Sequence, residues 1–183
     1  MKLTSFKMFL NKTNKKNITI IGHMGSGKSL FGAKIANYFN IEHIDSDKEI
    51  SKSENSSINE IFSFKGETYF RYIESQIVLK ILEKRDVVIS LGGGSILKKD
   101  VRNKINKQSF SVFLDVDIKI LDKRLKKSKN RPLLKDGNIL TTLQQLDVER
   151  RKYYLNADIK INNSGSLNKT FLSFKKKFSP QNG

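Results

Sequence analysis

Cysteine is absent from this sequence, which excludes a disulfide framework and a cysteine metal site. There is no tryptophan, and only two prolines are present. No apolar run reaches the roughly 20 residues that a membrane-spanning helix requires. No internal repeat and no Pro/Gly-rich linker divides the 183 residues, a length that suits one domain with a substantial core. A soluble protein of a reducing compartment, the cytoplasm, is therefore expected. The opening stretch MKLTSFKMFLNKTNKKN is basic, but its apolar residues are too scattered for a secretory signal. Residues 1–16 read as a poorly ordered basic extension before the first strand.

Arginine is scarce as well, with 7 against 28 lysines in a chain of formal charge +17. Such a charge invites a nucleic-acid reading. The lysines, however, run from end to end, and only KKSKNR and KKKF approach a cluster. Weak, salt-sensitive attraction to polyanions is expected, and a specific nucleic-acid partner is not. In a chain that so often uses lysine, each arginine marks a place where planar, bidentate geometry can matter. Those positions are Arg71, Arg85, Arg102, Arg124, Arg131, Arg150 and Arg151.

Against these absences stands GHMGSGKSL, residues 22–30, directly after the apolar run ITII. The spacing of Gly22, Gly27, Lys28 and Ser29 is that of a phosphate-binding loop. Glycines bring backbone amides close to an anion, and a helix starting near Lys28 would turn its unpaired N–H groups toward the same charge. Lys28 can reach the terminal phosphates of a nucleotide, and the Ser29 hydroxyl can ligate Mg²⁺. A glycine-rich turn with a chance lysine is the plain alternative. The motif alone leaves hydrolases, switches, motors and kinases open.

Periodicity predicts strands at 17–22, 41–45, 86–91, 110–116 and 157–162. Helices are predicted at about 28–39, 56–63, 67–84, 98–105, 117–127, 139–154 and 166–177. Strand and helix in alternation imply an α/β fold with a five-stranded parallel sheet between two helical layers. Chemistry then belongs beyond the carboxyl ends of the strands. The second strand runs into DSD, whose Asp45 and Asp47 project to the same side if the chain stays extended. The third runs into LGGGS, where Gly92, Gly93 and Gly94 leave backbone open to a ligand. As plainer alternatives, DSD before KEISK can be only a helix N-cap motif, and a triple glycine can be a plain loop. Arg71 lies four residues after Glu67 and three before Glu74, a spacing that also fits surface ion pairs on a helix. His23 and His43 are given no chemical role.

The ordered series GHMGSGKS, DSD, GETYFRYIE, LGGGS, RPLL and ERRKYY resembles the shikimate kinases, a family of P-loop kinases acting on small molecules. The resemblance runs from Ile18 to about Phe178 and implies a nucleoside-monophosphate-kinase-like fold, with a domain at 17–178 and a tail at 179–183. It implies a substrate-binding segment at about 46–75 and a lid at about 124–138. By the same resemblance, Gly25, Ser26, Gly27, Lys28, Ser29 and Leu30 bind ATP, Ser29 ligates Mg²⁺, and Asp45 assists the metal through water. Asp47 hydrogen-bonds a substrate hydroxyl and is the candidate base. Arg71 and Arg150 grip the shikimate carboxylate, the Gly93 backbone meets another substrate oxygen, and Arg131 descends on ATP from the lid. Lys28, Asp47 and Arg131 form the implied catalytic set, and a monomer is expected.

Two departures from the family pattern stand out. Leu30 replaces a second hydroxyl residue common after the Lys-Ser pair. Near the C-terminus Ala157 follows Tyr154 by three residues where four are usual, so Arg151 remains a fallback for Arg150. A gluconate or nucleoside monophosphate kinase would share loop and lid but lack the arginine pair. A non-catalytic nucleotide-binding module would need neither DSD nor GETYFR in register.

Overall fold

The computed structural model describes residues 2–126 and 138–178. Its centre is a sheet of β1 (Asn17–Ile21), β2 (Glu42–Asp45), β3 (Val87–Ser90), β4 (Ser109–Asp115) and β5 (Ile159–Asn162). All pairings are parallel, in the order β2-β3-β1-β4-β5. The short, nearly unbroken apolar runs suit such a sheet, because helices cover both faces and neither face is left to water. Successive residues divide between the two layers. Ile18, Ile20, Val112 and Leu114 point into one core with α2 (Lys28–Phe39) and α8 (Leu167–Phe178). Ile21, Ile89 and Phe113 point into the other, with α4 (Ile58–Ile81), α5 (Lys99–Gln108) and α7 (Ile139–Tyr154).

Two smaller cores hold the elements around the site. Met24 packs with Leu121 and Leu125 of α6 (Ile118–Lys126) and Leu143 of α7. Ile50 of α3 (Ser46–Glu54) packs with Ile61, Phe70 and Ile73 of α4. β1 lies between β3 and β4, so the chain reverses its direction of travel across the sheet there. Crevices open beyond the carboxyl ends of strands at such a reversal, which is where the phosphate loop sits.

The structure corrects the reading of residues 1–16. Lys2–Lys12 is a helix, α1, with Phe6 and Leu10 buried. Phe6 packs 5.0 Å from Phe39, and Phe9 packs 4.0 Å from Phe178 and 4.7 Å from Phe110. The apolar residues that look scattered are spaced three and four apart, which is one face of a helix. Each buried aromatic contributes about 1.5–3 kcal/mol, enough to dock a short basic helix.

The DSD segment is corrected too. β2 ends at Asp45, and Asp45 is the N-cap of α3, accepting from the backbone N–H of Asp47 at 3.1 Å and of Lys48 at 3.4 Å. Asp47 therefore stands on the first helical turn and not on extended chain. The helices predicted at 56–63 and 67–84 are joined as α4 across a kink at Gly66, whose φ of 78° and ψ of 171° are non-helical.

Candidate active site

The loop from Gly22 to Gly27 turns on three positive φ angles, 144° at Gly22, 75° at Gly25 and 90° at Gly27. Gly27 caps α2 without a side-chain hydrogen bond, so the first amides of α2 keep their capacity for an anion. The Lys28 ammonium donates to the carbonyls of Gly22 and His23, each at 2.9 Å. The lysine is thus folded over the loop it serves. Ser29 Oγ donates to Asp45 Oδ2. A hydroxyl and a carboxylate oxygen brought together are hard donors of the kind Mg²⁺ takes. Among the described residues no group of three or more His, Cys, Asp or Glu could hold a metal ion, so Mg²⁺ here would depend on phosphate and water for most of its ligands. Leu30, at the departure noted above, is 70% exposed beside the loop.

A second crevice adjoins the loop. Asp47, Arg71, Glu74, Arg150 and the three glycines 92–94 line it, with Phe62 and Phe70 forming an apolar wall. Met24, Asp47 and Gly93 line this crevice and the phosphate-loop crevice alike. Arg150 is buried at 3% exposure, whereas Arg151 turns away to Asp115 and Asp147. Of the two neighbours, Arg150 is the one that reaches the crevice. Arg71 lies on α4 with Nη1 on Glu74 Oε2 at 2.6 Å, and with Nε and Nη2 both on Glu67 Oε1 at 3.1 Å. Burial pulls its pKa down, but the two glutamates outweigh that and hold it above the usual arginine value.

Two of the three glycines lie against charged side chains. A Cβ at Gly94 would stand 2.3 Å from Arg71 Nη1. One at Gly92 would stand 2.7 Å from Asp47 Oδ1 and 2.8 Å from Glu74 Oε1. At Gly92 and Gly94 an added side chain would displace the charged ends of Asp47, Glu74 and Arg71 from these positions.

Several positioning residues escape sequence reasoning. Asn163 Nδ2 donates to Ser26 O at 2.7 Å, and Thr170 Oγ1 donates to Asn163 Oδ1 at 2.6 Å. Arg124 donates to Asn163 O at 2.8 Å and to Gly25 O at 3.4 Å. Together they brace the phosphate loop from the turn after β5, from α8 and from α6. Ser90 Oγ donates to Lys28 O at 3.0 Å, and His43 Nε2 is 2.9 Å from that hydroxyl. Since Ser90 spends its proton on the carbonyl, His43 is the donor in this pair. Only Arg124 carried a signal, its rarity as an arginine. The structure brings together Lys28, Ser29, Asp45, Asp47, Arg71, Gly93 and Arg150. Arg131 and most of the segment read as a lid lie outside the described residues.

Comparison with known proteins agrees with this geometry. The family described as shikimate kinase matches residues 24–177. A shikimate kinase of Buchnera aphidicola is 41% identical over 152 residues, covering 81% of this chain and 87% of its own. The structure of shikimate kinase from Acinetobacter baumannii in complex with shikimate superposes with a TM-score of 0.87 at 26% identity, covering 97% of this chain and 99% of the other. A gluconokinase from Sinorhizobium meliloti gives 0.60 at 18% identity, a likeness of fold alone. With the family pattern running from Met24 in the loop through the glycines after β3 and both crevice arginines, the chain belongs to the shikimate kinase family.

Proposed function

We propose that this chain transfers the γ-phosphate of MgATP to the 3-hydroxyl of shikimate, giving shikimate 3-phosphate and ADP, a step toward chorismate and the aromatic amino acids. The observation that carries this reading is the position of Asp47. It borders the crevice of the phosphate loop and the crevice of the arginines. A hydroxyl held there lies between a phosphate donor and a carboxylate.

Each residue has a chemical task in this proposal. Arg71 and Arg150 bind the carboxylate of shikimate, each charge-assisted hydrogen bond contributing about 1.5–3 kcal/mol. Asp47 orients the acceptor hydroxyl and takes its proton as the new P–O bond forms and the γ-phosphate leaves ADP. Lys28 exchanges its two carbonyl partners for phosphate oxygens, and the α2 amides hold the same charge. Ser29 and, through water, Asp45 would hold Mg²⁺, which when bound supplies further neutralisation of the phosphates. Arg131 is assigned to ATP by family resemblance. Phosphoryl transfer asks the protein mainly for in-line placement and charge compensation, and these residues provide both.

Gluconate remains the competing acceptor only through shared fold. By family resemblance the protein is taken to act as a monomer in the cytoplasm. A coupled assay for ADP formation tests the reading, with shikimate, quinate, gluconate and nucleoside monophosphates as acceptors and MgATP as donor. Shikimate-dependent turnover is expected, and its absence would overturn the assignment.

A further inference from the structure

His23 lies within the phosphate loop, and its side chain reaches α7. Nε2 is 2.7 Å from Asp147 Oδ1, on the helix that carries Arg150. A carboxylate only accepts, so Nε2 carries the proton. Nδ1 is buried with no hydrogen-bond partner. The ring stands edge-on to Tyr154, with centroids 5.0 Å apart. Tyr154 in turn stacks on Phe113 of β4 and donates its hydroxyl to Gly93 O at 2.6 Å.

We propose that His23 and Asp147 form a positioning pair that locks the phosphate loop to α7, holding the nucleotide and the shikimate carboxylate in one frame. This rests on the functional reading above. On one side of the contact, the His23 carbonyl accepts from Lys28 at 2.9 Å, and the next residue, Met24, lines both crevices. On the other side, Asp147 and Arg150 are three apart on α7 and share a face. Fixing His23 to Asp147 therefore fixes the loop that carries the phosphate donor against the arginine that grips the acceptor.

The imidazole is suited to this as a neutral donor. The charged groups around it are Asp147, Arg150 and Arg151 on α7 and Lys28 on α2, with Asp115 of β4 engaging Arg151. Burial lowers the pKa of His23, Asp147 opposes that, and Lys28 and Arg150 reinforce it. A second proton would place an N–H at Nδ1 with no acceptor. An apolar side chain would fill the same space without burying an unpaired nitrogen. The imidazole earns its place by the bond it makes.

The test compares His23→Gln, whose amide can still donate to Asp147, with His23→Leu, Asp147→Ala and the double variant of the last two. His23→Leu and Asp147→Ala are expected to lower kcat about tenfold, a loss of the size that slight misplacement of reactants causes. The KM for ATP should stay within about twofold, since uniform nucleotide binding is untouched. His23→Gln should recover most of the rate, and the double variant should be no slower than either single one. Wild-type turnover in His23→Leu, equal losses in the Gln and Leu variants, or losses that multiply in the double variant would each overturn the pair. A readout without turnover covers failed folding and separates this proposal from the kinase assignment. Imidazole ¹⁵N shifts should report a neutral Nε2–H tautomer at neutral pH in the wild type. The Nε2–H proton should resonate downfield through its bond to Asp147 and move upfield in Asp147→Ala, and an unmoved resonance there, or a wild-type ring protonated at Nδ1 instead, sinks the pair whatever the acceptor proves to be.

Discussion

Half-buried Arg71 pairs with buried Glu74, Nη1 to Oε2 at 2.6 Å, and the second oxygen of Glu74 accepts from Ser95 Oγ at 2.8 Å. Glu74 is only 2% exposed, so this is not an ion pair on a helix surface. Its carboxylate is held by the turn after β3 and in turn holds the guanidinium of Arg71 in one orientation. Glu67, on the other edge of the guanidinium, is exposed and yields easily to a ligand carboxylate. The face of Arg71 toward the crevice is thus aimed in advance, and if it binds the shikimate carboxylate as proposed, that limits the ordering cost of binding.

Arg71→Lys should keep the fold and raise the KM for shikimate about tenfold to a hundredfold, since losing a charge-assisted hydrogen bond costs about 1.5–3 kcal/mol. An ammonium cannot serve Glu74, Glu67 and a substrate carboxylate at once from one fork. Steady-state kinetics with each substrate varied in turn would check it. A rise confined to the KM for ATP would mean that Arg71 has been assigned to the wrong substrate.

Gly94→Ala should reproduce much of that defect from the opposite wall. The added Cβ would stand 2.3 Å from Arg71 Nη1, while at Gly165 it would meet nothing within 4 Å. Gly165→Ala is therefore the control. The expected result is a raised KM for shikimate with Gly94→Ala and unchanged kinetics with Gly165→Ala. Equal behaviour of the two variants would argue that the turn shifts freely and that the glycine is not there for the arginine.

These residues also indicate what the sequence makes legible. All five strands and the phosphate loop are visible from short apolar runs and glycine spacing, because parallel strands buried on both faces leave little else to read. Arg71 and Arg150 stand out by their rarity, although the same criterion marks Arg102, which stacks 4.0 Å from Tyr153 and binds the carbonyls of Ile96 and Leu97. Helix α3 is hidden because SDKEISKSE has only Ile50 as a buried apolar residue and so no apolar period. Asn163 and His23 are hidden for another reason. Their partners lie 137 and 124 residues away, and no local pattern encodes a contact at that separation.

Asp47→Asn should depress kcat while leaving nucleotide binding nearly intact. An amide of the same shape can still hydrogen-bond a hydroxyl but is too weak a base to take its proton. General-base assistance contributes about 10²–10⁴-fold, so a loss toward the lower end of that range is expected if Asp47 chiefly orients the hydroxyl. Rapid-quench turnover, together with ADP affinity by calorimetry, separates the two effects. Near-normal turnover would remove Asp47 as the base.

The last prediction concerns α1, far from the chemistry. Phe6 is fully buried against Phe39 of α2 and Phe178 of α8, so Phe6→Ala removes an aromatic from the core. Such truncations cost about 3–5 kcal/mol, a large share of a stability that is itself about 5–15 kcal/mol. Urea denaturation should show a lower midpoint with a similar slope. α1 supplies none of the residues assigned to ATP or shikimate, so kcat and both KM values should match the wild type wherever the variant is folded. An unchanged midpoint would mean that α1 detaches without cost, and the helix would then be an appendage to the sheet and not part of its core.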